Sequence, residues 1–321
     1  MFTTRRDTLT LGGALAALTF TASAQAFPTR AVRIIVPTGA GGITDVLARL
    51  VAERLAARLG GQVIVENRPG AGGIIGTEAV ARAEPDGHTL LMVFPSHPVN
   101  PSLRARLPYD TVKDFAPITT VTTVTSVLLV PASLPAQSVG DVIALSRREK
   151  LTFASVGTGS LGHLAGELFR SMANIELTHV PYRSVPDAHT ALLRGDVSMF
   201  FDPPLTGVPH IREGRLRGLA VTSLTRSAAL PDTPTMHEAG VTGFECVGWN
   251  GILAPAATPQ PILDRLNREI VAILNEPEMQ RKLREQGADP APATREDFAA
   301  RITADIEKWA VVIRNAGIRP E

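Results

Sequence analysis

"VRIIVPTGAGGITDVLARLVAERLAARLG", residues 32–60, decides the fold. A β-rich run, Val32 to Pro37, meets three glycines, Gly39, Gly41 and Gly42, and then a periodic stretch. In that stretch Leu47, Leu50, Val51, Leu55 and Leu59 recur at helical spacing, with Arg49, Glu53 and Arg58 on other faces. The reading is strand, glycine turn, helix: the opening of a β-α-β unit. A helix start carries unpaired backbone N–H groups and the positive end of the helix dipole, so "GAGGIT" (39–44) is a candidate anion cradle. The same glycines also suit a tight turn with no ligand.

The unit repeats along the chain. Further β-rich runs are "QVIVEN" (62–67), "HTLLMVF" (88–94), "SVLLVP" (126–131), "LTFASV" (151–156), "LTHVPY" (177–182), "VSMFFD" (197–202) and "LRGLAVTS" (216–223). Several are almost wholly apolar, as strands covered on both faces should be. Helical patterns separate them, which predicts α/β architecture with parallel sheets. The runs form two sets, residues 31 to about 110 and 151 to 223. Two extended segments, "DFAPITTVTTVTSVLLVPASLP" and "VGWNGILAPAATPQP", cross between them. The expectation is two lobes on a two-strand hinge, with a helical tail returning to the first lobe. Lobe 1 takes residues 27–122 and 225–321, lobe 2 residues 123–224.

The first 26 residues read as an export signal: a basic start with Arg5 and Arg6, the apolar run "LGGALAALTF", and an exit "ASAQA" that places cleavage after Ala26. Arg5 and Arg6 also form a twin-arginine pair, which leaves the export route open. Removing Arg5, Arg6 and Asp7 from 32 basic and 31 acidic residues leaves 30 of each, with no basic stripe. Nucleic acid is therefore not an expected partner. The lone Cys246 makes no internal disulfide and reads as a buried structural residue. The seven histidines show no metal-ligand spacing.

The second set repeats the glycine turn. "LTFASV" runs into "GTGSLG" (157–162), a literal G-x-G-x-x-G between a strand and a helix. An exported NAD(P)-dependent oxidoreductase is the alternative that this motif raises. It wants an acid at the end of the next strand, but "LTHVPY" ends in Tyr182 and Arg183, and Glu176 precedes it. The string is also no hydrolase elbow, since Thr158 stands where the first Gly is needed.

Whole strings of the chain resemble the Bug-type solute receptors, the binding proteins of tripartite tricarboxylate transporters. The resemblance begins at "TRAVRIIVPTGAGGITDVLARLVAERLAARLGGQVIVENRPGAGGIIGTEAVARAEPDGHTLL". It continues through "NPSLRARLPYDTVKDFAPIT", "HVPYRSVPDAHTALLRGDVSMFFDPP" and "GWNGILAPAATP" to "KWAVVIRNAGIRPE". It implies a periplasmic, type II-like two-lobed binding protein, expected to be a monomer without metal or cofactor and without catalysis. It implies a small carboxylate as ligand and a membrane permease or a sensor kinase as partner. It also implies that the carboxylate lies between the lobes on backbone N–H groups. The matching positions are Gly41, Gly42, Ile43 and Thr44 on one side and Gly157, Thr158, Gly159 and Ser160 on the other. Ser96, His97 and Asn100, after "LLMVF", are expected to line the first-lobe wall. Asp202, ending "VSMFFD", is expected to face the cleft, as a ligand acceptor or as a cap for the next helix. Trp249 reads as hinge packing, and "RPGAGGIIG" (68–76) as a structural turn and helix start.

Overall fold

The computed structural model describes residues 27–318; the export signal and its cleavage point lie outside them. The first lobe begins β1 (Val32–Val36), α1 (Ile43–Leu59), β2 (Val63–Asn67), a 3-10 turn (Ala71–Gly73), α2 (Ile74–Ala81), β3 (Thr89–Val93) and α3 (Ser96–Leu103). Strand β4 (Phe115–Val124) leads across to the second lobe. That lobe holds β5 (Val127–Pro131), α4 (Val139–Ser146), β6 (Leu151–Ser155), α5 (Leu161–Ala173), β7 (Leu177–Pro181), α6 (Val185–Arg194), β8 (Met199–Asp202), α7 (Pro204–Arg212) and β9 (Leu216–Val221). The chain returns through β10 (Gly248–Pro255) and ends with α8 (Gln260–Leu274), α9 (Pro277–Glu285), β11 (Asp289–Pro290) and α10 (Arg295–Asn315).

Two sheets result, ordered β11-β4-β10-β3-β1-β2 and β7-β6-β8-β5-β9. Alternation predicts parallel sheets, and β1 indeed runs parallel to β2 and β3, as β6 does to β7 and β8. Each sheet nevertheless carries an inserted antiparallel strand. β10 runs against β3 and β4, and β5 against β8 and β9. The cause is the hinge: these two strands enter from the opposite lobe and so run against the strands whose carboxyl ends face the cleft.

Helices cover both faces of each sheet. On the first, α1, α8 and α9 bury Leu47, Val51, Leu55, Leu266, Ile270 and Leu283 against Ile34, Leu90 and Ile252. Each such side chain contributes about 1.5–3 kcal/mol by leaving water. Gly60, in the left-handed region at φ 69°, ends α1. On the opposite face β10 has Gly251 where any side chain would strike the Phe298 ring at 2.3 Å, so glycine lets α10 lie directly on the strand.

Sequence reading returns the tail to the first lobe, and the first half of α10 does so: Phe298 and Ile302 join Ile35, Leu91 and Trp249. Its second half differs. Trp309, Val312 and Ile313 enter the second core with Phe153, Leu164 and Phe169. A helix of 21 residues, about 30 Å long, is long enough to reach both.

Candidate functional site

The loop after β1 is exposed from Gly39 to Ile43, while Thr44 and Asp45 turn inward. Gly41 has φ +82°, a conformation that favours glycine, and it aims its N–H at Asp45 Oδ2, 2.9 Å away. Asp45 also accepts from Arg49 Nε at 3.0 Å and from Asn67 Nδ2 at 2.9 Å. The hydrogen bond from Arg49, aided by those from Gly41 and Asn67, holds the buried carboxyl at a pKa of about 2. Gly41 is thus a loop-forming donor. The N–H groups of Gly42, Ile43 and Thr44 meet no acceptor among the described residues. Gly42 has ordinary extended geometry (φ −73°, ψ 164°) and room where a side chain would stand, with Gly39 O at 3.7 Å the nearest atom.

The loop after β6 is built differently. Ser160 caps α5: its hydroxyl donates to Gly157 O at 2.7 Å and accepts from the His163 N–H. The Gly159 N–H donates to His163 Nδ1 at 3.0 Å, and the Gly157 N–H to Ser155 Oγ at 3.0 Å. Ser155 Oγ in turn lies 2.6 Å from His179 Nε2. The imidazoles of His163 and His179 stack with centroids 4.0 Å apart, under Phe153. Burial, together with His179 alongside, pushes the His163 pKa down to about 4, so the ring stays neutral at pH 7 and can accept. Gly157, Gly159 and Ser160 therefore spend their polar groups shaping the turn. Thr158, Leu161 and Gly162 keep N–H groups with no acceptor among the described residues. Sequence reading missed Leu161 and Gly162; the helix-start rule, counted from Ser160 as cap, points to both.

One strand end joins the two loops. A side chain on Gly248, at the start of β10, would come within 3.0 Å of both Leu161 and Pro95. Two residues on, Asn250 Nδ2 donates to Thr44 Oγ1 at 3.2 Å and to Val93 O at 3.3 Å. Gly159 packs on Leu103 of α3. The starts of α1 and α5 thus border one hinge segment at the carboxyl ends of β1, β3 and β6. Two helix starts there offer a carboxylate fixed N–H donors. No lysine or arginine occurs in 39–45 or 157–163.

The remaining candidates lie elsewhere. Ser96 Oγ and Asn100 Nδ2 donate to Gly72 O at 3.1 and 3.3 Å and so fasten the 70–73 turn beside the first loop. His97 points into the core, parallel to Tyr109 and edge-on to Phe115, instead of lining the wall; burial pushes its pKa down to about 4. A histidine between two aromatics far apart in sequence gives no local signal of this. Asp202 is fully buried rather than open to the cleft. Its Oδ2 accepts from Thr206 Oγ1 at 2.6 Å and contacts His189 Nε2 at 3.0 Å, tying α7 to α6. Strand alternation turns it to the helix-covered face, as it turns Phe200. Trp249 packs edge-on against Phe298, with its N–H on Asp305 Oδ2 at 2.5 Å. Cys246 is buried, which pushes its thiol up to about 12. Among the described residues no group of three His, Cys, Asp or Glu could hold a metal ion.

The family model described as tripartite tricarboxylate transporter family receptor matches residues 47–318. Protein BugT of Bordetella pertussis is 37% identical over 301 residues, spanning 92% of each chain. Among solved structures, Rpa4515 of R. palustris with adipate is 36% identical with a TM-score of 0.76, covering 92% of this chain and all of that one. MatC of Rhodopseudomonas palustris with bound malate is 31% identical with a TM-score of 0.71, covering 89% of this chain and all of that one.

Proposed function

The chain belongs to the tripartite tricarboxylate transporter receptor family, and on that premise we propose that it captures a small organic carboxylate between its two lobes in the periplasm. The observation that carries this reading is the pair of helix starts, with N–H groups of Gly42, Ile43 and Thr44 and of Thr158, Leu161 and Gly162 that meet no acceptor among the described residues, beside one hinge strand. Relatives of the same fold hold adipate and malate, both dicarboxylates. Fixed backbone dipoles stabilise a carboxylate without an ion pair, and closing the hinge strengthens them by excluding water. Ser96, Asn100 and Ser160 act here by shaping the loops. The receptor works as a monomer whose second lobe begins at residue 123 and runs past the expected end at 224, since Met236, Val241, Phe244 and Cys246 pack in its core; it hands its ligand to a membrane permease or presents itself to a sensor kinase. Among the described residues no helix is long and apolar enough to cross a membrane. It performs no catalysis. The dinucleotide reading is not favoured, because β7 ends without an acid to hold a ribose.

A thermal-shift screen of the mature protein against di- and tricarboxylates, acidic amino acids and aromatic acids tests this. A ligand at a hundredfold its Kd adds about 2.7 kcal/mol of stability. Small-angle scattering with the best ligand should show a smaller radius of gyration. Stabilisation by a nucleotide, with none by any acid, would replace the receptor reading with the oxidoreductase.

A further inference from the structure

Away from both glycine loops, a cavity of about 440 Å³ lies between the lobes beside the hinge residue Thr125. One wall is a single face of α7, where Leu205, Val208, Pro209 and Arg212 follow helical spacing. The loop 227–229 extends this wall. The other wall is the turn from α9 to β11, residues 284 and 287–289. Contact is close at one end: Gly287 lies so near Leu205 that an added side chain would come within 2.8 Å. Arg212 lies at the other, seven residues or about 10 Å along the helix.

The lining is mostly apolar, with Arg212 at one end and the Arg284–Asp289 pair on the wall that carries Gly287. Arg284 Nε lies 3.9 Å from the carboxylate of Asp289, which also lines the cavity and offsets its charge, whereas Arg212 has no ion pair among the described residues. The volume falls in the range of small-molecule pockets, roughly 300–1,000 Å³. We infer that this cavity is a second ligand site, for an amphipathic monoanion: an apolar chain or ring of about 10 Å carrying one carboxylate. The apolar body lies along Leu205, Val208 and Ala288, and the anionic head meets Arg212. A bare dicarboxylate does not fit this description, because its second charge would be buried among those apolar groups. Since each lobe supplies one wall, the occupant also senses the angle between them.

Octanoate is the probe, with octylamine as its cationic counterpart, titrated calorimetrically into the mature protein. Octanoate binds the wild type and octylamine does not. Arg212→Glu, a surface change, weakens octanoate at least tenfold and admits octylamine. Ala229→Trp, at an exposed position on the rim, blocks octanoate while leaving thermal stability unchanged. Gly42→Val, in the other loop, binds octanoate like the wild type. Absence of octanoate binding overturns the site. So does binding that survives Ala229→Trp and the Arg212 charge reversal, or that Gly42→Val abolishes, which would put octanoate in the glycine-loop cleft. These arms are independent of whether a dicarboxylate binds between the glycine loops.

Discussion

Asn250, in the returning hinge strand, donates to the hydroxyl of Thr44, in the first turn of α1, at 3.2 Å. The two residues are 206 apart in sequence. The bond fastens the start of the proposed anion-binding helix to the strand on which the lobes turn. Movement at the hinge is therefore felt at the first loop without any intervening side chain.

Thr44→Val keeps the shape of the side chain and removes the hydroxyl. It leaves the buried Asn250 amide with one acceptor fewer, so stability should fall by about 0.5–1.5 kcal/mol. Carboxylate affinity should fall as well, because the α1 start loses its tie to the hinge. Thr44→Ser should retain most of both. Urea unfolding and calorimetric titration of the two variants check this, and equal behaviour of Val and Ser would remove the hydroxyl from the account.

Gly42→Val should fold like the wild type and bind poorly. The backbone at Gly42 suits any residue, and the nearest atom to an added Cβ is Gly39 O at 3.7 Å. The branched side chain instead occupies the space in front of the Ile43 and Thr44 amides. Affinity should drop tenfold or more, a loss of about 1.4 kcal/mol at least. Arg183→Ala, on the exposed segment after β7, should bind normally. The reverse pattern in calorimetry, with Arg183 essential and Gly42 dispensable, would mean that a side-chain ion pair holds the acid.

Acid should weaken the fold through His97. Its folded pKa of about 4 lies below the ordinary 6.5, so the unfolded chain binds the proton more readily. The stabilising contribution is therefore complete above pH 6.5 and is lost as pH falls through about 4. The span of 2.5 pH units corresponds to roughly 3 kcal/mol. His97→Phe keeps a ring between Tyr109 and Phe115 and should flatten that part of the stability-against-pH curve. An unchanged curve would show that His97 does not titrate this way.

Asp45 acts over a lower range. Its folded pKa, about 2, is below the ordinary 3.8, so its contribution is present above pH 3.8 and fades as pH falls through 2. Asp45→Asn should cost about 1–2 kcal/mol at pH 7, at the lower side for a charged hydrogen bond because Arg49 is half-exposed. The cost should shrink toward zero near pH 2. Chemical unfolding at both pH values measures it.

Cleavage after Ala26, as the export-signal reading expects, would leave Phe27-Pro28-Thr29-Arg30 as the mature start. N-terminal sequencing of protein from the periplasmic fraction should read those four residues, and an intact Met1 would refute processing.

Local chemistry made much of this protein legible. Eight β-rich runs read from the sequence correspond to eight strands, and the central ones such as β3 and β5 are almost wholly apolar because both their faces are covered. The glycine turns at 39–42 and 157–159 were equally plain, since positive φ at Gly41, Gly157 and Gly159 favours glycine. The two crossing segments likewise announced a hinge by their length and β-branched composition.

Direction and partnership were decided only in three dimensions. Nothing near β10 or β5 tells which way its neighbours run; that follows from entry out of the other lobe. Asp202 and His97 sit beside promising strand ends, yet one faces the helix layer and the other the aromatic core, because partners remote in sequence cover them. Within each glycine loop the sequence supplies the donors, but Asp45, His163 and Ser155 choose which turn inward. Hydrogen bonds are directional and need both ends in place, so which amides stay unpaired is known only after every other pairing is made.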